Sequence, residues 1–328
     1  MRPYWMLSVR SWLATLAVLA YAVSGSAYSQ VVRMEVHPLP STTLSDQEFL
    51  TGKRDGIPVV VAGELRIPRG GTDRLPAVIL VHGSGGVSGY VDGWAQWLNA
   101  MGVATFVLDS FTGRGLTSVS NDQSQLGRLA MIVDTYRALA LLGKHPRIDS
   151  RRIAVMGFSR GGQAVLYSSL KRFQRMHSSS DASFVAYIVF YPDCRTTYRE
   201  DDDVADVPIR IFHGSADNYS PVDTCRTYVN RLRKAGKDIE LKEYADAQHA
   251  FDWPLLKTPV ILSQAQTTRR CRLEESADGT IINSETRKLF TYSDPCVELG
   301  PTVAYSAEAY AEVQKDVRAF VLTVLNPK

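Results

Sequence analysis

This sequence of 328 residues has little net charge, few long apolar runs and no closely spaced cysteine pair of the kind that binds metal. The formal net charge is +3, and so small a charge gives no reason to expect a nucleic-acid partner. The four cysteines contain no Cys-x-x-Cys pair, which makes a zinc site unexpected. No other motif calls for a metal or a cofactor. With 45% hydrophobic and 22% charged residues, the chain is typical of a globular protein with one large core.

The N-terminal segment has the pattern of a secretory signal. Two arginines precede an apolar run at 12–23, which is short for a membrane span, and small residues follow it. We interpret residues 1–29 as a signal peptide cleaved after Ala27 or Ser29, and residues 30–328 as the mature domain. An uncleaved anchor is the alternative. Cleavage would place the protein in the periplasm or the medium, and no later stretch is apolar enough to span a membrane.

An even number of cysteines behind a signal segment is typical of a disulfide framework in an oxidising compartment. Four cysteines allow three pairings. We prefer Cys194–Cys225 and Cys271–Cys296, because each pair lies within one local region of the chain.

Apolar runs and helical patterns alternate along the chain, which predicts an α/β fold. Continuous apolar runs such as 77–81 are typical of strands buried on both faces. We therefore expect a mainly parallel, doubly wound sheet of about eight strands with helices on both faces. The predicted strands are 31–36, 58–67, 77–81, 104–108, 153–156, 185–191, 209–212 and 239–244, and the predicted long helices are 91–101, 125–142, 221–235 and 307–325.

One segment interrupts this alternation. Residues 254–305 separate the last predicted strand from the last helix, which is too long for an ordinary connection. We interpret the segment as an insertion beside the edge of the sheet where the strands end, and we expect it to shape one wall of a site at that edge. Leu289, Phe290 and Tyr292 are the candidates for that wall. The alternative is that they only pack the insertion onto the body.

A strand, a tight turn and a helix surround a Gly-x-Ser-x-Gly motif, Gly157 to Gly161. This context is that of a nucleophile elbow, in which the turn strains the serine backbone and needs small residues on both sides. The helix that follows presents free N–H groups and a partial positive charge where an oxyanion would form. Ser159 is therefore the candidate nucleophile.

A serine needs an adjacent base to act as a nucleophile. Asp217 and His249 each follow a predicted strand, and the carboxyl ends of parallel strands share one edge of a sheet. We therefore predict that they converge on Ser159. His249 would take and return the proton, and Asp217 would orient the imidazole. Asp223 and Asp246 compete for the acid role, since spacing alone does not assign the third member.

With these residues the chain resembles the α/β-hydrolase superfamily and, within it, the dienelactone hydrolase family. The order Ser, Asp, His is that of α/β-hydrolases. The matching pieces are Val81-His82-Gly83-Ser84-Gly85-Gly86, Asp109-Ser110-Phe111-Thr112-Gly113-Arg114-Gly115, Gly157-Phe158-Ser159-Arg160-Gly161-Gly162, His213-Gly214-Ser215-Ala216-Asp217 and His249-Ala250-Phe251-Asp252.

The resemblance implies an oxyanion hole from the backbone N–H groups of Ser84 and Arg160, and a small-molecule ester or lactone as substrate. Ser159 departs from the cysteine nucleophile of dienelactone hydrolases proper, which favours a serine carboxylesterase over a dienelactone substrate. An acyltransferase, a peptidase and a catalytically silent binding protein on the same scaffold are the alternatives. The sequence carries no signal of oligomeric state.

Other polar residues near these motifs have simpler interpretations. His82 and His213 are expected to be structural, since each precedes a glycine turn. Asp252 follows His249 too closely to reach its ring easily, so we expect a loop contact, and Arg114 lies either on the surface or in the pocket. Three further histidines are expected to be solvated: His37, His145 and His177.

Overall fold

A computed structural model describes residues 31–326 of the chain. The interpretation of residues 1–29 as a signal peptide lies outside the described residues. The strands are β1 Arg33–Thr43, β2 Ile57–Ile67, β3 Leu75–Val81, β4 Ala104–Asp109, β5 Ile148–Phe158, β6 Tyr187–Phe190, β7 Thr196–Thr197, β8 Ile209–Gly214, β9 Ile239–Tyr244, β10 Val260–Ile261, β11 Gln266–Thr267, β12 Leu273–Glu275, β13 Ile281–Asn283, β14 Glu298–Leu299 and β15 Thr302–Val303. The α-helices are α1 Asp46–Leu50, α2 Gly89–Ala100, α3 Ala130–Gly143, α4 Arg160–Tyr167, α5 Lys171–His177, α6 Asp223–Lys234 and α7 Ala307–Leu325, and short 3₁₀ turns occupy Thr112–Arg114 and Gln123–Gln125.

Eight strands form the central sheet in the order β1-β2-β4-β3-β5-β6-β8-β9. β1 pairs antiparallel with β2, and β2 pairs antiparallel with β4. The other neighbours in the sheet run parallel to one another: β4, β3, β5, β6, β8 and β9. All seven residues of β3 are buried, as its continuous apolar sequence predicts for a central strand covered on both faces. The predicted α/β architecture with a mainly parallel sheet of eight strands is confirmed.

Two apolar cores lie on opposite faces of the sheet. One core packs α3, α4, α5 and α6 against the sheet, and the other packs α2 and α7. Because the parallel strands all point the same way, the loops that follow β5, β8 and β9 meet at one edge. The fold thereby brings three distant parts of the sequence together.

The helix predicted over 125–142 begins five residues later, at Ala130. The guanidinium of Arg160 donates hydrogen bonds to the carbonyl oxygens of Leu126 and Gly127. These contacts with a distant side chain hold residues 126–127 outside the helix, and the apolar spacing of the sequence does not reveal them.

Residues 254–305 contain six short strands, β10 to β15, rather than an irregular loop. The structure joins Cys194 to Cys225 and Cys271 to Cys296, the same pairs that the sequence favours. β12 also pairs with β7 of the body. Nearby, the buried carboxylate of Glu275 accepts two hydrogen bonds from Arg172, at 2.8 and 2.6 Å. The segment is therefore fixed to the body by strand pairing and a buried ion pair.

Cys271 and Cys296 flank the pairing of β11 with β14, at a sequence separation of 25. Changing both to serine should lower the free energy of unfolding by roughly 3–4 kcal/mol in the chain-entropy model. Urea unfolding of the double variant against the oxidised wild type measures this loss. An unchanged unfolding midpoint would contradict a stabilising role for the bridge.

Among the residues that the structure describes, no helix is both long and apolar enough to cross a membrane.

Candidate active site

Ser159 lies at the turn between β5 and α4, with a left-handed backbone at φ 53° and ψ −117°. Two glycines permit this strained turn. A Cβ on Gly161 would collide with the carbonyl oxygen of Val81, and a Cβ on Gly157 would collide with that of Gly161. The local sequence therefore folds into the sharp elbow, and Ser159 stays partly exposed at its apex.

The imidazole of His249 lies between the two other predicted residues. Its Nε2 is 2.8 Å from Ser159 Oγ, and its Nδ1 is 2.7 Å from Asp217 Oδ2. An ionised carboxylate can only accept hydrogen bonds, so His249 Nδ1 carries the proton and donates it to Asp217. Nε2 is then the acceptor for the serine hydroxyl. The arrangement can draw the proton from Ser159 and hold the charge that then appears on His249.

The second oxygen of Asp217 is held by the backbone. Its Oδ1 accepts from the N–H groups of Tyr219 at 2.8 Å and Ser220 at 2.9 Å. Burial raises the pKa of Asp217, but its contact with His249 and these hydrogen bonds outweigh burial, so the pKa is lowered overall. Asp217 is therefore an anion beside the imidazole. The competing carboxylates Asp223 and Asp246 are exposed.

The loop after β3 lies directly against the elbow. A Cβ on Gly83 would stand 3.3 Å from the Cβ of Ser159, and the N–H of Gly83 donates to the Tyr90 hydroxyl at 2.9 Å. The next residue is Ser84, and Arg160 is the first residue of α4. The backbone N–H groups of Ser84 and Arg160 thus belong to the two segments that border Ser159.

A cavity of about 290 Å³ opens beside Ser159 and His249. Its lining consists of small, aromatic and aliphatic residues: Gly83, Ser84, Gly85, Ser88, Tyr90, Ser120, Ser159, Tyr191, Tyr219, His249, Ala250, Trp253, Leu256, Leu262 and Val303. Its volume is near the lower end of the usual range for ligand sites, about 300–1,000 Å³.

The family model for dienelactone hydrolases matches residues 61–268, more than half of the chain. The chain belongs to the dienelactone hydrolase family. It is therefore a member of a hydrolase family, and the resemblance seen in the sequence motifs is confirmed.

Solved structures of the family share the fold. A dienelactone hydrolase-like promiscuous phosphotriesterase from metagenomic libraries is 16% identical with a TM-score of 0.57, over 89% of this chain and 98% of that chain. A candidate dienelactone hydrolase from Klebsiella pneumoniae subsp. pneumoniae is 15% identical with a TM-score of 0.56, over 90% of this chain and all of that chain. No curated protein sequence matches the chain.

The 254–305 segment of this dienelactone hydrolase family member braces the loop that carries His249. Ala304 N–H donates to the carbonyl oxygen of His249 at 3.1 Å, and Ser306 N–H, just beyond the segment at the start of α7, donates to that of Phe251 at 3.0 Å. The segment also contributes Leu256, Leu262 and Val303 to the lining of the active-site cavity. These roles are not visible in the sequence.

The segment braces the Asp217 loop in the same way. Thr302 N–H donates to the Asn218 side-chain oxygen at 2.7 Å, and Thr267 Oγ1 donates to the carbonyl oxygen of Tyr219 at 2.6 Å. The loops that carry His249 and Asp217 are therefore both tied to the 254–305 segment.

The expectation that Leu289, Phe290 and Tyr292 form a wall of the substrate site is wrong. They border a separate cavity of about 440 Å³. Leu289 is 62% exposed, and Tyr292 accepts a hydrogen bond from Arg128 at 3.1 Å. These contacts draw that part of the segment toward α1 and α3, away from Ser159. Among the described residues of the segment, those that line the cavity beside Ser159 are Leu256, Leu262 and Val303.

His82 and His213 are buried, and neither ring is hydrogen-bonded to Ser159 in the described part of the chain. His82 Nδ1 lies 2.8 Å from the carbonyl oxygen of Gly83, and its Nε2 accepts from Ser110 N–H at 3.2 Å. This pattern fits a neutral imidazole with the proton on Nδ1. Burial lowers the pKa of both histidines.

A buried neutral His82 makes stability depend on pH. Because its pKa is lowered in the native state, the unfolded chain binds the proton first, and stability falls as the pH drops below about 6.5. One such group adds a slope of up to about 1.4 kcal/mol per pH unit. His82→Gln should reduce the loss of unfolding free energy between pH 7 and 5.5, measured in urea. Equal losses in both proteins would contradict this.

The expectation that His37, His145 and His177 are solvated is wrong for all three. His177 is buried, with Nε2 2.8 Å from the carbonyl oxygen of Phe49. His37 and His145 are partly buried and share the Oε2 of Glu35, at 2.9 and 3.2 Å. Strand pairing and the turn after α3 bring them together, which no sequence spacing indicates.

Glu35, His37 and His145 offer three donor atoms within 4.8 Å of one another. However, His145 Nδ1 accepts from Arg147 N–H at 3.2 Å. That places the imidazole proton on Nε2, the nitrogen that faces Glu35, where a metal would need a lone pair. The cluster therefore fits hydrogen bonding to the carboxylate better than metal ligation.

Asp252 belongs to a buried hydrogen-bond network behind His249, whereas the sequence predicts only a loop contact for this residue. Its carboxylate accepts from the Tyr191 hydroxyl at 2.6 Å and from Trp94 Nε1 at 2.8 Å. The ring of Tyr191 packs on that of His249, with centroids 4.6 Å apart. Sequence reasoning missed Tyr191, although its position directly after β6 at the same sheet edge was a usable signal.

Arg114 lies neither on the surface nor in the active-site cavity. Its guanidinium pairs with the fully buried Asp134 at 2.7 Å and donates to the carbonyl oxygen of Ser110 at 2.6 Å. The residue anchors the loop after β4 to α3.

Proposed function

We propose that this member of the dienelactone hydrolase family hydrolyses carboxylic esters through an acyl-enzyme on Ser159. The observation that carries the proposal is the continuous chain of hydrogen-bonded atoms from Asp217 through His249 to Ser159 Oγ. Serine is a competent nucleophile only when such a base is in contact with it. We interpret Asp217, rather than Asp223 or Asp246, as the residue that orients the base.

Acylation begins when Ser159 Oγ attacks the ester carbonyl carbon while its proton moves to His249 Nε2. The carbonyl oxygen becomes an oxyanion, and the N–H groups of Ser84 and Arg160 are the donors that we assign to it. Asp217 stabilises the imidazolium that forms. The tetrahedral species then collapses, the C–O bond to the alcohol breaks, and His249 returns the proton to the leaving oxygen.

Deacylation repeats these steps with water. His249 takes a proton from the water as its oxygen attacks the acyl carbon, and it then returns that proton to Ser159 Oγ as the acid leaves. The partly exposed Ser159 leaves room for water to approach. The two disulfides fit an oxidising compartment, and we propose that the enzyme works in the periplasm or outside the cell.

A fluorophosphonate probe and p-nitrophenyl acetate test the proposal. We expect the native protein to be labelled at Ser159, located by peptide mass mapping, and to release p-nitrophenol steadily in water. Absence of labelling would favour a catalytically silent binding protein. Transfer of the acetyl group to an added alcohol in preference to water would identify an acyltransferase instead.

A further inference from the structure

Apart from His249, the active-site cavity is lined without acidic or basic side chains. Among the fifteen lining residues of this described site, none is Asp, Glu, Lys or Arg, and His249 belongs to the proposed triad. The remaining polar groups are hydroxyls, indole and backbone. A group that enters this cavity therefore meets no side chain that could neutralise a negative charge.

The guanidinium of Arg160, the residue after Ser159, donates through both of its terminal nitrogens to the segment before α3, and its Nε is buried without a partner among the described residues. Arg160 directs its side chain to Gln123 Oε1 at 2.9 Å, to the carbonyl oxygen of Gly127 at 3.0 Å and to that of Leu126. Arg160 is 5% exposed. It holds the segment before α3 and is not available to a ligand in the cavity.

The charge behind the cavity is negative. Asp217 is buried, at 4% exposure, and contacts His249, and its pKa is lowered overall although burial alone would raise it. Its carboxylate already accepts hydrogen bonds from two backbone N–H groups and from His249. Burial raises the pKa of Asp252, the other carboxyl group behind His249, so the negative charge is that of Asp217. A second anion in the cavity would add repulsion to the cost of leaving water.

We propose that the substrate is an uncharged ester and that esters or lactones carrying a carboxylate next to the reacting group are rejected. This inference rests on the proposed function and narrows it to a substrate class. The apolar part of the substrate would lie against Leu256, Leu262 and Val303, which the 254–305 segment brings to the cavity. Aliphatic surface of this kind favours an apolar acyl or alcohol group.

Two esters of nearly the same shape separate charge from size. The p-nitrophenyl ester of 4-methylpentanoic acid ends in an isopropyl group, and the mono-p-nitrophenyl ester of succinic acid ends in a carboxylate. We expect kcat/KM to be at least about 100-fold higher for the neutral ester, because the carboxylate loses its hydration without a partner. The Ser159→Ala protein supplies the background rate. A ratio below about fivefold would overturn the inference.

Binding provides a readout that does not depend on turnover. Calorimetric titration of Ser159→Ala with the two esters should show tighter binding of the neutral one, and equal affinities would overturn the inference. If the wild type hydrolyses neither ester, the proposed function fails, and this titration still decides the charge preference of the cavity.

Leu262 offers a matched pair of variants, since it is partly exposed at the cavity. Leu262→Lys introduces a cation, and Leu262→Met changes shape without charge. The lysine variant should raise the succinate-to-methylpentanoate ratio of kcat/KM at least about tenfold, as an opposite charge within reach stabilises the carboxylate. The methionine variant should leave the ratio near that of the wild type. A rise in both variants would show that shape, rather than charge, sets the preference.

Discussion

Ser159→Ala is expected to lower kcat/KM for p-nitrophenyl acetate by at least about 10⁴-fold. The substitution removes Oγ, which is 2.8 Å from His249 Nε2, and with it the atom that would carry the acyl group. The elbow itself should survive, because the glycines on both sides keep the space that the turn needs. Initial rates with the purified variant, after subtraction of the buffer rate, measure the loss.

Ser120→Ala is the matched control. Ser120 also presents a hydroxyl to the active-site cavity, but no contact joins it to His249 in the described structure. We expect this variant to retain activity within about tenfold of the wild type. A Ser159→Ala protein with near wild-type activity would refute the acyl-enzyme route, whatever the control shows.

The parts of the fold and site that sequence reasoning predicted are those encoded locally. The buried strands are continuous apolar runs, and the elbow is set by Gly157 and Gly161, whose lack of a side chain the turn requires. Asp217 and His249 could be proposed because each follows a strand, and parallel strands deliver their ends to one edge. The order of the parallel strands in the sheet then brings the three side chains within hydrogen-bonding distance.

The parts that were missed depend on contacts between distant residues. The start of α3 depends on Arg160, which donates hydrogen bonds to the carbonyl oxygens of Leu126 and Gly127. In a helix that began earlier, these oxygens would accept from backbone N–H groups instead. The course of the 254–305 segment depends on the ion pair of Glu275 with Arg172 and on the pairing of β12 with β7. No period or spacing in the sequence encodes such contacts, so the wall assigned to Leu289 was misplaced.

Asp217→Asn should lower kcat by about 10⁴-fold, with a much smaller effect on KM, as expected when the base is held in the wrong tautomer. Asp217 Oδ1 accepts two backbone N–H groups, from Tyr219 and Ser220. The amide oxygen of asparagine must take that place, which turns its NH₂ group toward His249 Nδ1. The imidazole then accepts at Nδ1 and carries its proton on Nε2, so it has no lone pair for Ser159.

The changed tautomer of His249 in Asp217→Asn should affect the fluorophosphonate reaction as well as ester hydrolysis. The fluorophosphonate reaction needs the same base, so its labelling rate should fall in parallel with kcat, while thermal unfolding should still show one cooperative transition. Asp223→Asn and Asp246→Asn are the controls, since both carboxylates are exposed and were alternatives for the same role. Each should retain activity within about threefold of the wild type, because exposed substitutions away from the reacting atoms have small effects. Two results would remove Asp217 from the mechanism: a loss of less than tenfold for Asp217→Asn, or an equal loss for Asp246→Asn. His249 would then be oriented by other contacts, such as its packing on Tyr191.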